Sequence, residues 1–211
     1  MGMVDDDGVV RIGSVVFALI RPTPGREQAF NHWYERDHYY TAGLAAPGVF
    51  SAGRFIQPES GWHLALYFVL PGHDAGRIEF ATQQMALAAA DDRLFSEREH
   101  LHTWSYGVES TTSGADGVPL SLALDHRYPA LSVALFDGEA PKVAGPAMTL
   151  RPISQIMPST WEGDVDLVRR RTVLQFGSDA QPGRELSNAD GAVWSATFVP
   201  VVFGTDTHIA R

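Results

Sequence analysis

The chain of 211 residues carries 25 acidic and 16 basic side chains, and its formal net charge of -9 excludes a protein that binds nucleic acid through a basic surface. It contains no cysteine, so disulfides and thiolate chemistry are excluded and any metal site would need His, Asp or Glu ligands. The acidic N-terminus lacks a signal-peptide core and no apolar run reaches membrane-spanning length, which predicts a cytoplasmic protein without a membrane partner.

The first elements along the chain are a buried strand and an amphipathic helix. Residues 15–20 (VVFALI) are apolar and partly β-branched, which predicts a strand buried on both faces. Residues 26–45 follow a Pro-Thr-Pro-Gly turn and carry apolar side chains three and four apart, which predicts an α-helix. At the α-helical period, Asp37 falls inside the apolar stripe and His38 on its flank.

Two interpretations of this ionisable pair stay open. In the first, Asp37 is a buried carboxylate neutralised by Arg36 or Arg54, and His38 is an edge residue with ordinary hydrogen bonds. In the second, the helix delivers His38 into a cavity, where a carboxylate orients or charges it.

Two further strands, a second helix and a fourth strand complete the first half. The strands are predicted at residues 49–56, 62–70 and 101–109, and the helix follows Pro71-Gly72. Alternation along the last strand places one set of side chains on a single face: His100, His102, Trp104, Tyr106 and Val108. This order of elements predicts a ferredoxin-like βαββαβ unit over residues 13–109.

The second half, residues 118–211, is predicted to be rich in β-structure. A small polar segment, residues 110–117, predicts a linker before it. Five segments are predicted mainly as strands: residues 120–124, 131–136, 148–157, 172–176 and 193–202. Because the strands of the first half are apolar on both sides, the open face of its sheet must pack against another sheet. The prediction is an α+β fold whose barrel is completed by a second subunit or by the second half of this chain. One interpretation of the second half is a degenerate second copy of the first unit.

The first half also resembles a known family. His32, Trp33 and Tyr34 are followed by His38 late in the first helix, by Ala46-Pro47-Gly48 before the second strand, and by Arg54. In these features residues 13–109 resemble the dimeric α+β barrel superfamily and, within it, the EthD-like proteins. The superfamily includes polyketide cyclases, lactone isomerases and cofactor-free ring monooxygenases, and some distant members bind haem through a histidine. The resemblance implies a homodimer, a small apolar ligand, and that His38 matches the histidine of the family's helix.

The favoured interpretation of the chemistry is acid–base catalysis without a cofactor. His38 would transfer a proton, Asp37 would set its tautomer and Tyr34 would assist. The predicted contacts to substrate are Arg54, His63, Tyr67, His102, Trp104 and Tyr106. The predicted substrate is a hydrophobic carbonyl or phenolic metabolite, and the reaction is of the cyclase, isomerase, lyase or cofactor-free oxygenase type. For the aromatic residues, simple packing is the alternative.

Two other functions are also compatible with the sequence. Glu35-x-x-His38 recurs as Glu97-x-x-His100, a spacing that holds paired metals in helical bundles, so a non-haem iron, manganese or zinc site, or a haem, is the first alternative. Against it, the helical period turns Glu35 towards solvent. A non-catalytic protein that binds a small molecule is the second alternative. Residues 204–206 near the C-terminus predict a turn.

Overall fold

The computed structural model of the protein describes residues 8–113, 120–124, 128–158, 160, 170–177, 186 and 191–206. The strands are β1 Ser14–Pro22, β2 Val49–Gln57, β3 Trp62–Val69, β4 Arg98–Thr112, β5 Ala130–Phe136, β6 Ala147–Met157, β7 Arg171–Gly177 and β8 Ala192–Pro200. The helices are α1 Glu27–Trp33, a π-helix Tyr34–Leu44 that continues it, α2 Asp74–Ala90 and α3 Leu120–Ala123. None of the described helices is long and apolar enough to cross a membrane.

The strands form one closed, antiparallel barrel with the neighbour order β1-β3-β2-β8-β5-β7-β6-β4, and β4 pairs with β1 to close it. The first four strands lie in the order β2-β3-β1-β4, and the last four repeat it as β6-β7-β5-β8. The two sets join twice, through β4 with β6 and through β2 with β8. The barrel predicted from the sequence therefore closes within one chain, and a homodimer stays a prediction.

The strands β1 and β3 are buried on both faces over almost their whole length, as their composition indicates. Side chains that point into the barrel form the largest apolar cluster, with members from all eight strands, among them Phe17, Leu66 and Phe198. The opposite face of β1 and β3 packs against the first helix, where Phe30 and Tyr34 are almost fully buried. Two apolar layers thus enclose the same strands, one inside the barrel and one beneath the helices.

Two predictions about the junction between the halves need correction. Of the strand predicted at residues 120–124, Leu120–Ala123 form a short helix instead, and Leu120 and Leu124 both pack against the barrel core. Residues 110–112 of the predicted linker belong to β4, where they pair with β6. Residues 114–117 lie outside the described residues.

The first helix changes its hydrogen-bonding pattern at Tyr34. From there to Leu44 it is a π-helix, in which each backbone bond spans five residues instead of four. Side chains five apart therefore align along the axis, and the face assigned to each residue by α-helical counting shifts after Tyr34. A π-helical segment of this kind is frequent at functional sites.

Candidate functional site

A cavity of about 90 Å³ lies between the helices and the outer face of the barrel. Most of its wall is apolar, contributed by β1, β6, the π-helix and α2. The polar side chains in the wall are Tyr34, His38, Tyr67, Arg77, Arg98, His100 and Thr103. Among the described residues that line it there is no Asp or Glu, so its two arginines face an apolar space without a carboxylate in the wall.

His38 enters this cavity from the π-helix. Its ring stacks on Trp33 with the ring centroids 4.6 Å apart, and the edge of Tyr34 lies 4.9 Å away. Burial lowers the pKa of His38 to about 3, and the charges of Arg98 and His100 act in the same direction. The imidazole is therefore neutral near pH 7, and a neutral imidazole is able to accept a proton.

Asp37 lies at the surface and not in the apolar stripe. Its carboxylate accepts hydrogen bonds from Arg93 at 2.7 and 2.9 Å, and from the Thr41 hydroxyl at 2.9 Å. Within the described ranges no hydrogen bond joins it to His38, but its negative charge acts to raise the pKa of His38, so a role for Asp37 beside His38 stays a prediction. The prediction of its place is wrong because α-helical counting does not apply in a π-helix.

Glu35 shows the opposite error, since it was expected to face solvent and is buried. It lies 3.4 Å from Arg54 in an ion pair that is almost fully enclosed, and it accepts a hydrogen bond from the Gly204 amide at 2.8 Å. The predicted turn at the C-terminal end is confirmed by the bond from the Thr205 amide to the Val202 carbonyl. That turn therefore holds the first helix from outside the cavity.

Arg54 and His63 lie behind the cavity wall and do not line it. Arg54 donates to Asn31 at 3.1 Å and to Nδ1 of His63 at 3.3 Å, and its guanidinium sits 4.4 Å from the centre of the Tyr34 ring. Because arginine only donates, Nδ1 of His63 is an acceptor and the ring proton sits on Nε2. From this position they support Tyr34, and a contact of either residue with a substrate stays a prediction.

Tyr34 and Tyr67 form a hydroxyl pair in the cavity wall. Their oxygens are 2.7 Å apart, and both side chains are buried. Burial raises the pKa of Tyr34, and it raises that of Tyr67 well above its usual value. Both phenols are therefore neutral at pH 7. One of the two hydroxyl protons is used between them, which leaves the other for an oxygen of a ligand.

His100 reaches the cavity because β4 contains a bulge. Leu19 pairs with His102 and Ile20 pairs with His100, so Leu101 is an extra residue in β4. The bulge turns His100 to the helix side, and the prediction that it shares a face with His102 is wrong.

The hydrogen bonds of His100 fix its tautomer. Arg98 donates to its Nε2 at 3.3 Å, so its proton lies on Nδ1, 3.0 Å from the Thr103 hydroxyl. Burial, and next the charge of Arg98, lower the pKa of His100 to about 4. It is a second neutral imidazole in the cavity wall.

His102, Trp104 and Tyr106 lie inside the barrel, on the opposite side of the sheet from the cavity. His102 Nε2 is 2.7 Å from the Tyr106 hydroxyl, and the Trp104 ring lies parallel to the imidazole at 5.7 Å. Because successive strand residues point to opposite faces, these three cannot meet His38. Of the six predicted substrate contacts, Tyr67 lines the cavity.

Two arginines in the wall were missed by the sequence analysis. Arg77 precedes Ala81, Met85 and Ala88 on the apolar side of α2, and this spacing is the signal that would have found it. Arg98 begins β4 and lies 4.8 Å from the centre of the Trp33 ring. No periodic signal identifies Arg98.

The four residues of the alternative metal site do not come together. The Glu35 carboxylate is paired with Arg54, and Glu97 pairs with Arg26 at the surface. His38 and His100 line the cavity without them, and among the described residues no three His, Asp or Glu side chains form a group suited to a metal. The described geometry therefore gives no support to a site made of these four residues, and both the metal site and the nature of any cofactor stay predictions.

The comparisons with known proteins concern the fold. No protein-family model matches the chain, and no curated protein matches its sequence. Among solved structures it is similar to an anthrone oxidase-like protein, with a TM-score of 0.55 over 91% of this chain and 92% of that one. The two sequences are 9% identical, so the likeness shows the α+β barrel fold alone. Membership of the EthD-like proteins stays a prediction.

Proposed function

We propose that the protein is a small-molecule enzyme in which His38 removes a proton from a hydrophobic phenol or enolisable carbonyl compound. The observation that carries this proposal is a neutral imidazole, without a described hydrogen bond, in a mostly apolar cavity. The negative charge that develops on a deprotonated ligand would favour the charged imidazole, so His38 can take the proton as that charge forms, and general base catalysis contributes typically about 10²–10⁴-fold to a rate.

The remaining polar groups of the cavity suit the negative charge that deprotonation creates. The Tyr34–Tyr67 pair has one hydroxyl proton to donate to a developing enolate or phenolate oxygen. Arg77 and Arg98 supply positive charge from two other parts of the wall. In an apolar cavity such interactions are stronger than in water, because the local dielectric constant is low.

The reaction that follows deprotonation is of the cyclase, isomerase, lyase or cofactor-free oxygenase type. The anthrone oxidase-like neighbour favours oxidation by dioxygen as the first of these to test. A cavity of about 90 Å³ is smaller than the roughly 300–1,000 Å³ of pockets for drug-sized ligands, which favours a single-ring substrate over a three-ring one.

The architecture supports two further statements about the two halves of the chain. We infer that the first half is a ferredoxin-like unit and that the second half is a degenerate copy of it, because the strand order repeats as β2-β3-β1-β4 and β6-β7-β5-β8. The same unit in two copies would produce within one chain the barrel that the dimeric superfamily builds from two subunits.

The test follows hydrogen exchange in D₂O by proton NMR, with a panel of single-ring hydroxyaryl ketones and with anthrone. We expect exchange at the carbon next to the carbonyl, and a loss of about 100-fold in His38→Gln. His32→Gln is the matched control, because His32 is a part-exposed histidine of α1 that pairs with Asp206 and does not line the cavity. Oxygen uptake measured in parallel identifies substrates that are also oxidised.

A His38→Gln variant that retains its exchange rate within twofold, while folded by circular dichroism, would contradict the assignment of His38. Absence of exchange with every member of the panel would remove the proposed substrate class.

A further inference from the structure

The buried nitrogens of Arg77, unpartnered within the described residues, are a feature of the cavity that the proposed proton transfer does not explain. Its side chain is 4% exposed and lines the cavity from α2. In the part of the chain that the structure describes, its Nε and Nη2 are shielded from solvent and have no hydrogen-bond partner. A buried guanidinium without an acceptor is unfavourable, so a ligand that supplies one would gain free energy from the contact.

The acidic and basic neighbours of Arg77 do not satisfy it. Asp74, one turn earlier on α2, acts on Arg77 through its charge, but its carboxylate accepts the hydrogen bond of the Ser14 hydroxyl. Arg98, the other arginine in the wall, already donates to His100 and lies over the Trp33 ring. Arg77 is therefore the guanidinium in the wall whose buried Nε and Nη2 have no acceptor among the described residues.

We propose that Arg77 binds a carboxylate of the substrate, so that the substrate is a small apolar carboxylic acid. Nε and Nη2 lie on one edge of the guanidinium, and that edge matches the two oxygens of a carboxylate. The apolar walls suit the rest of such a molecule, with His38 in the same cavity to act on it. The inference rests on the proposed function in one respect, namely that this cavity is the substrate site.

A carboxylate fits this site better than a phosphate. The cavity is about 90 Å³ and mostly apolar, and a phosphate dianion would need several more donors to replace its hydration. A single negative charge with two oxygens is balanced by one arginine.

The experiment measures binding by isothermal titration calorimetry with benzoate and with benzamide, which has the same shape without the charge. We expect benzoate to bind at least tenfold more tightly than benzamide. Arg77→Gln should weaken benzoate binding at least tenfold and leave benzamide within twofold. Arg93→Gln is the matched control, because Arg93 pairs with Asp37 at the surface and does not line the cavity.

Arg77→Lys provides a second variant, which keeps the positive charge but loses the paired donors on one edge of the guanidinium. Its expected affinity for benzoate is intermediate. The benzoate-to-benzamide ratio of the unmodified protein tests the proposal without any variant. Equal affinity for the two probes, no binding of either at about 10 mM, or an Arg77→Gln protein that binds benzoate normally would overturn it. Inorganic phosphate that binds more tightly than benzoate and is lost in Arg77→Gln would overturn the carboxylate assignment.

These outcomes separate the inference from the proposed function. Proton exchange is tested with uncharged ketones and depends on His38, whereas the binding experiment needs no turnover. A failure of the Arg77 experiment with normal, His38-dependent exchange removes the carboxylic acid and leaves the enzyme. The reverse result would leave an acid-binding cavity without the proposed chemistry.

Discussion

The ring of His38 lies against the indole of Trp33, five residues earlier in the chain, with the ring centroids 4.6 Å apart and the planes inclined by 21°. Five residues is the span of one π-helical hydrogen bond, so the stack follows from the backbone pattern that begins at Tyr34. In a regular α-helix the side chains that align are three and four apart. The π-helix thus gives His38 a flat apolar partner and a fixed orientation in the cavity.

Replacing Trp33 by Leu is expected to lower kcat of the proposed exchange reaction about tenfold with KM within twofold. Leucine keeps the site apolar but offers no flat surface to hold the imidazole. Trp33→Phe keeps a ring and should retain most of the activity, although it loses the hydrogen bond from the indole nitrogen to the Arg93 carbonyl. Trp62→Leu is the control, because Trp62 stacks on Trp194 away from the cavity. Equal activity of the Leu and Phe variants would contradict an orienting role for Trp33.

The two cavity histidines predict how stability depends on pH. The folded-state pKa values of His38 and His100 are about 3 and about 4, below the usual value of 6.5. At pH values between the folded-state pKa and 6.5, each of these histidines is protonated in the unfolded chain and neutral in the folded chain. The free energy of unfolding therefore falls as the pH is lowered from about 6.5 towards 4, by up to roughly 1.4 kcal/mol per pH unit for each histidine.

Urea unfolding of the protein and of the His38→Gln/His100→Gln double variant, at pH values from 7 down to 4.5, tests this expectation. The double variant should lose stability less steeply over that range. His32→Gln, which removes a histidine outside the cavity, should keep the steep dependence. Parallel curves for the protein and the double variant would show that the two imidazoles do not titrate abnormally.

The strands β1, β2, β3 and β5 were predictable because each is a largely apolar run that ends at proline, glycine or charged residues. The segment from Val49 to Gln57 shows this, since it begins after Pro47-Gly48 and ends before Pro58. The sequence also indicated that a second sheet must cover the first. Its pattern left open whether that sheet came from another subunit, because the residues that pair β4 with β6 have no signature in spacing.

The site was only partly predictable, and the errors have two physical causes. Glu35 and Asp37 exchanged their expected places because the apolar spacing does not reveal where an α-helix becomes a π-helix. His100 and His102 were expected on one face of β4 but lie on opposite faces, because Leu101 is an extra residue between them. Such a bulge inverts the face of every residue before it. Single-residue irregularities of this kind move a side chain across a sheet without altering composition.

The buried pair of Arg54 and Glu35 predicts a large loss of stability when one partner is removed. Arg54→Met should lower the free energy of unfolding by about 3–5 kcal/mol, because it leaves the Glu35 carboxylate buried without its partner. The Arg54→Met/Glu35→Gln double variant should recover part of that loss. Urea unfolding curves measure all three proteins.

An exposed ion pair is the matched control for this measurement. Arg170 lies 2.8 Å from Asp137, whose side chain is 64% exposed, so Arg170→Met should cost no more than about 1 kcal/mol. If Arg54→Met cost as little as Arg170→Met, the buried pair would not be the support of the helix that its contacts indicate.

Two glycines in the helical layer provide a matched pair of substitutions at the cavity. Gly43 lies on the π-helix, and a Cβ there would clash with the ring of Tyr67 and lie 2.9 Å from its hydroxyl oxygen. Gly76 lies on α2, and a Cβ there would meet no atom within 4 Å. A Gly→Ala substitution therefore places a methyl group against a residue of the cavity wall at position 43 and in open space at position 76.

Gly43→Ala should lower the free energy of unfolding by about 1–3 kcal/mol, because Tyr67 is buried and must move away from the added methyl group. That movement breaks its hydroxyl bond to Tyr34, so exchange activity should fall with stability. Gly76→Ala should instead raise stability by about 0.5–1 kcal/mol, because alanine is the better helix former, and leave activity unchanged. Urea unfolding and the exchange assay measure both variants. A Gly43→Ala protein with normal stability and activity would mean that Tyr67 moves freely, and the tyrosine pair would then not be a fixed hydrogen-bond donor to the substrate.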